Sequence, residues 1–201
     1  MDPGVVALSF VPIFLVELPD KTFVAALVLS TRYRPLPVWL GIGAAFAVQC
    51  LVAVTAGHFA TLLPETVLHA LSALVFAVGA TVLVKTAPRA DAKEKEQEEE
   101  YTSRATADTS GWRAAGASFV VLFVAEWGDL SQLLTIALVA RYQDPVSVFL
   151  GSWGALLVVS GLAVLSGRFL LRHLRLSLLH YAAAVVCSGF ALYSAYLAIA
   201  G

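Results

Sequence analysis

The chain has 201 residues, 59% of them hydrophobic and only 13% charged, against a charged share of about 25% in soluble domains. That composition excludes a soluble globular protein, and at this length almost nothing remains for a soluble domain beside the apolar segments. The formal net charge of −1 gives no reason to expect a nucleic-acid partner.

Six apolar stretches, near residues 4–30, 38–60, 66–86, 113–139, 146–167 and 177–200, are each long enough to cross a bilayer. The first is interrupted by Phe14-Leu15-Val16-Glu17-Leu18-Pro19-Asp20-Lys21-Thr22. A carboxylate at membrane depth costs roughly 2.5–3.5 kcal/mol on insertion scales, so such residues mark function by default. Pro19 has no N–H, which frees the carbonyl of Leu15. It reads either as an ordinary kink or as a broken turn that offers backbone oxygens to a cation. Lys21, four residues after Glu17, is expected to pair with it; snorkelling or proton carriage are the other readings.

The second stretch carries Gln49, which either approaches the acids or makes an interhelical hydrogen bond, and the buried thiol Cys50. Gly41 with Ala45 forms a small-xxx-small pair for close helix contact within the chain. Residues 87–112 are the one polar segment and contain Lys93-Glu94-Lys95-Glu96-Gln97-Glu98-Glu99-Glu100. The run reads as a solvated linker, without the spacing of a calcium loop.

The fourth stretch repeats the first. Phe123-Val124-Ala125-Glu126-Trp127-Gly128-Asp129-Leu130-Ser131 lies 109 positions after the first motif, and Arg141-Tyr142 matches Arg32-Tyr33 at the same offset. With one inserted residue, an offset of 110 pairs Gly41 with Gly151, Gly57-His58-Phe59 with Gly167-Arg168-Phe169, and Gly79 with Gly189. Residues 1–86 and 113–201 are thus expected to be two three-helix repeats. Three crossings per repeat give them opposite orientations, a recurrent plan of secondary transporters. Gly151 with Ala155 repeats the small pair, and Cys187 is a second buried thiol. His58, His69 and His180 near the ends of stretches, with Trp39, Trp112, Tyr33 and Tyr142, read as interfacial residues.

Alternating the six spans puts Arg32, Arg34, Lys85, Arg89, Lys93, Lys95, Arg104, Arg113, Arg168, Arg172 and Arg175 on one side and only Arg141 on the other. This asymmetry places the central linker in the cytoplasm and both termini outside. The start lacks a basic n-region and a clear cleavage site, and reads as a retained first helix.

Glu and Asp at i and i+3 project from one helix face. Two such helices facing each other would gather Glu17, Asp20, Glu126 and Asp129 around one cavity. All-oxygen coordination suits calcium, manganese or magnesium rather than zinc or copper. Thr22, Ser131 and Gln132 can add neutral oxygens, and Gly128, matching Pro19, tolerates distortion. Carboxylates crowded in a low dielectric cannot all stay ionised without a cation, so protons are expected to replace it and cation/proton exchange follows. No catalytic side chain or resident cofactor is expected, and no homo-oligomer is indicated.

The paired motifs resemble those of the Gdt-type cation/proton exchangers, uncharacterised protein family 0016. That family is marked by two copies of Glu-x-Gly-Asp-(Lys/Arg)-(Thr/Ser) in two three-helix halves separated by a charged loop. Glu17, Asp20, Lys21 and Thr22 match the first copy, with Pro19 in place of Gly. Glu126, Gly128, Asp129 and Ser131 match the second, with Leu130 in place of the basic residue. The resemblance implies proton-coupled transport of manganese and/or calcium for cation homeostasis, with the four acids as ion ligands. It further implies a multi-pass plasma-membrane exporter, and the missing Arg- and Ser-rich leader speaks against an organelle form. Two rivals are an exporter of amino acids or small organic cations and an intramembrane hydrolase with Asp20 and Asp129 as an acid dyad.

Overall fold

A computed structural model describes residues 1–18, 20–90, 96, 112–173 and 176–200, leaving aside the side chains of Arg32 and of 166–173 and 176. Pro19 and nearly all of the charged linker lie outside the described residues. Among the described residues the fold is helical throughout: α1 Pro3–Glu17, α2 Lys21–Arg32, α3 Pro35–Ala60, α4 Glu65–Thr86, a 3-10 turn Ala87–Arg89, α5 Trp112–Ala125, α6 Leu130–Tyr142, α7 Pro145–His173 and α8 Leu176–Ala200. Prolines open several of these helices, at Pro3, Pro35 and Pro145, where a missing N–H costs nothing. Gln143, with φ 52°, ends α6 in the left-handed region.

Four helices are long and apolar enough to cross a membrane, covering 35–60, 65–89, 145–165 and 177–200. Helices α5 and α6 are long and apolar enough only when taken together, as a broken span or a re-entrant pair bent by 73° at the junction, while α1 and α2 are shorter apolar helices. The first and fourth apolar stretches are therefore broken rather than kinked, one of the two readings the sequence left open. Each breaks within its acidic motif, because Asp20 and Asp129 take extended backbone and cap the helix that follows. An N-cap aspartate starts a helix rather than continuing one. Leu51, Leu74, Val185, Leu192 and Ile199 stand exposed along the long helices, as lipid-facing positions do.

The two halves interlock. Helix α1 packs on α7 and α5 on α3; α3 and α7 pack on each other, and α4 pairs with α8. Matching positions make matching contacts. A methyl group added at Gly41 would collide with the carbonyl oxygen of Ala115, and one at Gly151 with the carbonyl oxygen of Val6. Gly41 matches Gly151 at offset 110, and Val6 matches Ala115 at offset 109. Where α3 meets α7, Trp153 Nε1 donates to the Gly43 carbonyl at 2.9 Å and Trp39 Nε1 to the Leu157 carbonyl at 3.0 Å.

Both termini share one end of the molecule with the 61–64 and 143–144 connections. The Asp2 N–H donates to Ser147 Oγ at 2.8 Å, Ala200 lines a cavity with Glu65, and Gly57 abuts Ile136 and Val139.

Gly41→Ala and Gly151→Ala should each lower the melting temperature in detergent, since overpacking costs typically 1–3 kcal/mol. Gly189→Ala should not, because a methyl group there meets no atom within 4 Å. Equal melting of all three variants would refute the close-contact reading.

Candidate functional site

The two helix breaks face each other in the middle of the fold. Glu17 is the last residue of α1, and Glu126 directly follows the end of α5. In both motifs the chain makes the same turn: the Asp20 N–H donates to the Glu17 carbonyl at 3.1 Å, and the Asp129 N–H to the Glu126 carbonyl at 3.3 Å. Gly128 sits at φ 76° in the second turn, a conformation that glycine adopts without steric penalty.

This geometry corrects the expectation that each Glu and Asp share one helix face. They belong to successive helices, and the break rather than the helical period brings them together. The outcome is nevertheless one cluster, in which Glu17, Asp20, Glu126 and Asp129 each offer a carboxylate oxygen within 4.8 Å of the others. Glu17 and Glu126 are 0% and 1% exposed. Among the described residues no donor hydrogen-bonds either carboxylate. Helix C-termini carry a partial negative charge, so the ends of α1 and α5 add to the negative field. Four buried carboxylates outnumber the charge that one lysine can supply and demand a cation or protons, and the cluster is an all-oxygen set suited to a hard divalent ion.

Asp129 is the better anchored aspartate. It accepts from Ser131 Oγ at 2.9 Å and from the Gln132 N–H at 3.0 Å, while Asp20 accepts from the Lys21 N–H at 2.7 Å. Gln132 turns its side-chain oxygen back to the Gly128 N–H at 2.8 Å. Thr22 is fully buried beside the acids with an unpaired hydroxyl.

Side chains of the first half repair the break in the second. Gln49 Nε2 donates to the Phe123 carbonyl at 3.1 Å and Lys21 Nζ to the Ala125 carbonyl at 2.7 Å. Lys21 also pairs with Glu126 at 3.6 Å and not with Glu17 as expected. It begins a new helix after the break, so the i, i+4 relation to Glu17 is lost. The matching Leu130 instead packs against Gly79.

Gln49 makes the interhelical hydrogen bond and also lines a small cavity with Cys50, Asp129, Ser131, Gln132 and Thr135. Sequence reasoning left Cys50 and Thr135 out of the site. Their only signals were adjacency to Gln49 and the i+4 spacing from Ser131. His180, expected at a membrane interface, lies within electrostatic reach of Asp20.

The profile of the divalent cation/proton antiporter GDT1 family matches residues 5–91 and 114–201. The chain is 32% identical to a GDT1-like protein of Synechocystis sp. over 161 residues, 76% of this chain and 78% of that protein. It is likewise 32% identical to GDT1-like protein 1, chloroplastic, of Oryza sativa subsp. indica over 184 residues, 82% of this chain and 53% of that protein. With Protein PAM71, chloroplastic, of Arabidopsis thaliana the identity is 32% over 182 residues, 82% of this chain and 49% of that protein. The chain thus spans about half the length of these chloroplast relatives. No solved structure matches.

Lys21→Met should destabilise the protein in chelator. The loss should fall between the ~1 kcal/mol of an exposed pair and the ~3–5 kcal/mol of a fully buried one, because the Lys21 side chain is 32% exposed and that of Glu126 1%. Adding Glu126→Gln should recover most of it. Additive losses in this cycle, read by thermal melting, would show that the two side chains do not interact.

Proposed function

The chain belongs to the GDT1 family of divalent cation/proton antiporters, and from that premise we propose that it exchanges manganese and/or calcium for protons at the Glu17, Asp20, Glu126 and Asp129 cluster. The observation that carries this reading is the convergence of four carboxylates within 4.8 Å without a hydrogen-bond donor for either glutamate. A bound divalent ion would replace its water with these oxygens, helped by Thr22, Ser131 and Gln132. Lys21 leaves one edge of the cluster already balanced. Release of the ion exposes the carboxylates to one another, and protons then take its place. That alternation couples the two flows.

In this reading the halves 1–86 and 113–201 lie in the membrane with opposite orientation. They make six crossings, the first and fourth broken at the acids. The reciprocal contacts of Gly41 with Ala115 and of Gly151 with Val6 support it, as does the sharing of one end by both termini. The excess of basic residues in and beside the alternate connections of the sequence favours a cytoplasmic linker 87–112, and we place the protein in the plasma membrane as an exporter that maintains cation homeostasis. An amino-acid substrate would need a cationic partner for its own carboxylate, which an acid cluster holding one tethered lysine does not favour.

The test is purified protein in liposomes with a pH dye inside, challenged in turn with manganese, calcium and magnesium. Proton movement with one of the ions, abolished by Asp20→Asn and by Asp129→Asn in protein that still inserts, is the expected result. Normal flux in either variant would sink the shared site, and ion uptake without proton movement would replace exchange by uniport.

A further inference from the structure

The carboxylate cluster is approached unequally from its two sides. On one side Asp129, Gln132, Gln49, Cys50 and Thr135 share a cavity of about 10 Å³, room for on the order of one water. It lies between α3 and α6, on the way from the acids to the end that carries both termini. Toward that end Gly57 closes the seam, for a methyl group there would lie 2.7 Å from Val139 Cβ.

The repeat offsets name the residues at the matching place on the other side. Asp129 becomes Asp20, but Gln132 becomes Phe23, Thr135 becomes Ala26, Gln49 becomes Val159 and Leu156 becomes Phe46. Phe23 and Phe46 are 2% and 1% exposed, and Ala26 and Val159 are fully buried. The other side keeps buried hydroxyls, Thr22 and Ser160, at the places of Ser131 and Cys50, but it presents two rings and aliphatic carbon where the first presents Gln132, Leu156, Thr135 and Gln49, all of which line the cavity.

We propose that the ion's two half-paths are chemically unlike: a polar one along Gln49, Gln132 and Thr135, and an apolar one stopped by Phe23 and Phe46. This rests on the transport reading of the cluster. Neutral oxygens let a partly hydrated divalent ion pass, whereas an apolar constriction blocks ions by dewetting. Opening the polar side needs only a parting of the Gly57 seam. Opening the apolar side requires α2 to draw away from α3 and α7, on both of which it packs.

The two native thiols allow a direct test. Cys187, buried in the core, is replaced by Ala, which leaves Cys50 as the sole thiol. A membrane-impermeant cationic methanethiosulfonate reagent is applied to right-side-out and inverted vesicles, with a C-terminal epitope marking the end at which Ala200 lies. Cys50 should react severalfold faster from that end, and manganese or calcium should slow it. Phe23→Gln, which copies Gln132 into the first half, should raise the proton leak of liposomes severalfold without any divalent ion, and Phe23→Leu should not. Phe46→Gln, set against Phe46→Leu, repeats the test should Phe23→Gln fail to fold. Equal labelling from both ends, labelling from neither, or an unchanged leak in both glutamine variants would overturn the proposal. Labelling is read without ion flux, so one-sided labelling in a protein that exchanges no cation overturns the transport reading alone. Exchange with two-sided labelling overturns this inference alone.

Discussion

Four carboxylates held within 4.8 Å of one another inside an apolar bundle set the terms for everything around them. Mutual repulsion and lost hydration both oppose that arrangement, so the surrounding structure must supply positive charge and donors at the right places. It does so with backbone. Each motif ends one helix and starts another, which sets Asp20 and Asp129 at helix N-termini, where the dipole favours an anion. The glutamates take the opposite position, at helix C-termini, where the field is already negative. Glu126 is offset there by Lys21, which leaves Glu17 the least compensated member of the cluster, with most to gain from a cation.

The acids and the apolar segments were legible in the sequence, because each is a local pattern that survives folding. Their geometry was less so. Glu17 and Asp20 at i and i+3 share a face only while the helix continues, and Gly128 at φ 76° shows that the second one does not. Lys21 was assigned to Glu17 by the same helical rule and bonds across the halves instead. Gly41 and Gly151 announced a close contact, but their partners, Ala115 and Val6, lie on helices that no spacing rule connects to them. Cys50 carried no signal beyond its neighbour Gln49, since a buried thiol is ordinary in an apolar helix.

Departures from the repeat are as informative as the repeat. Leu130 fills space against Gly79, whereas Lys21 at the matching position holds the Ala125 carbonyl and Glu126. One half therefore donates a tethered cation to the other and receives none. Gln49 adds to that one-way support by bonding the Phe123 carbonyl. The two similar halves of the sequence thus build a centre with a stiffened break on one side and a less supported one on the other.

The interlocked packing bears on biogenesis. Helix α1 finds its surface on α7 and α3 offers its own to α5, so neither half completes a core by itself. During synthesis the first acidic motif reaches the bilayer more than a hundred residues before the chain that will cover it. Until then Glu17 and Asp20 must stay in contact with water, with lipid headgroups or with the insertion machinery. The cluster is therefore completed only when the second half of the chain has been made, and a chain cut short there would lack the surfaces that cover Glu17 and Asp20.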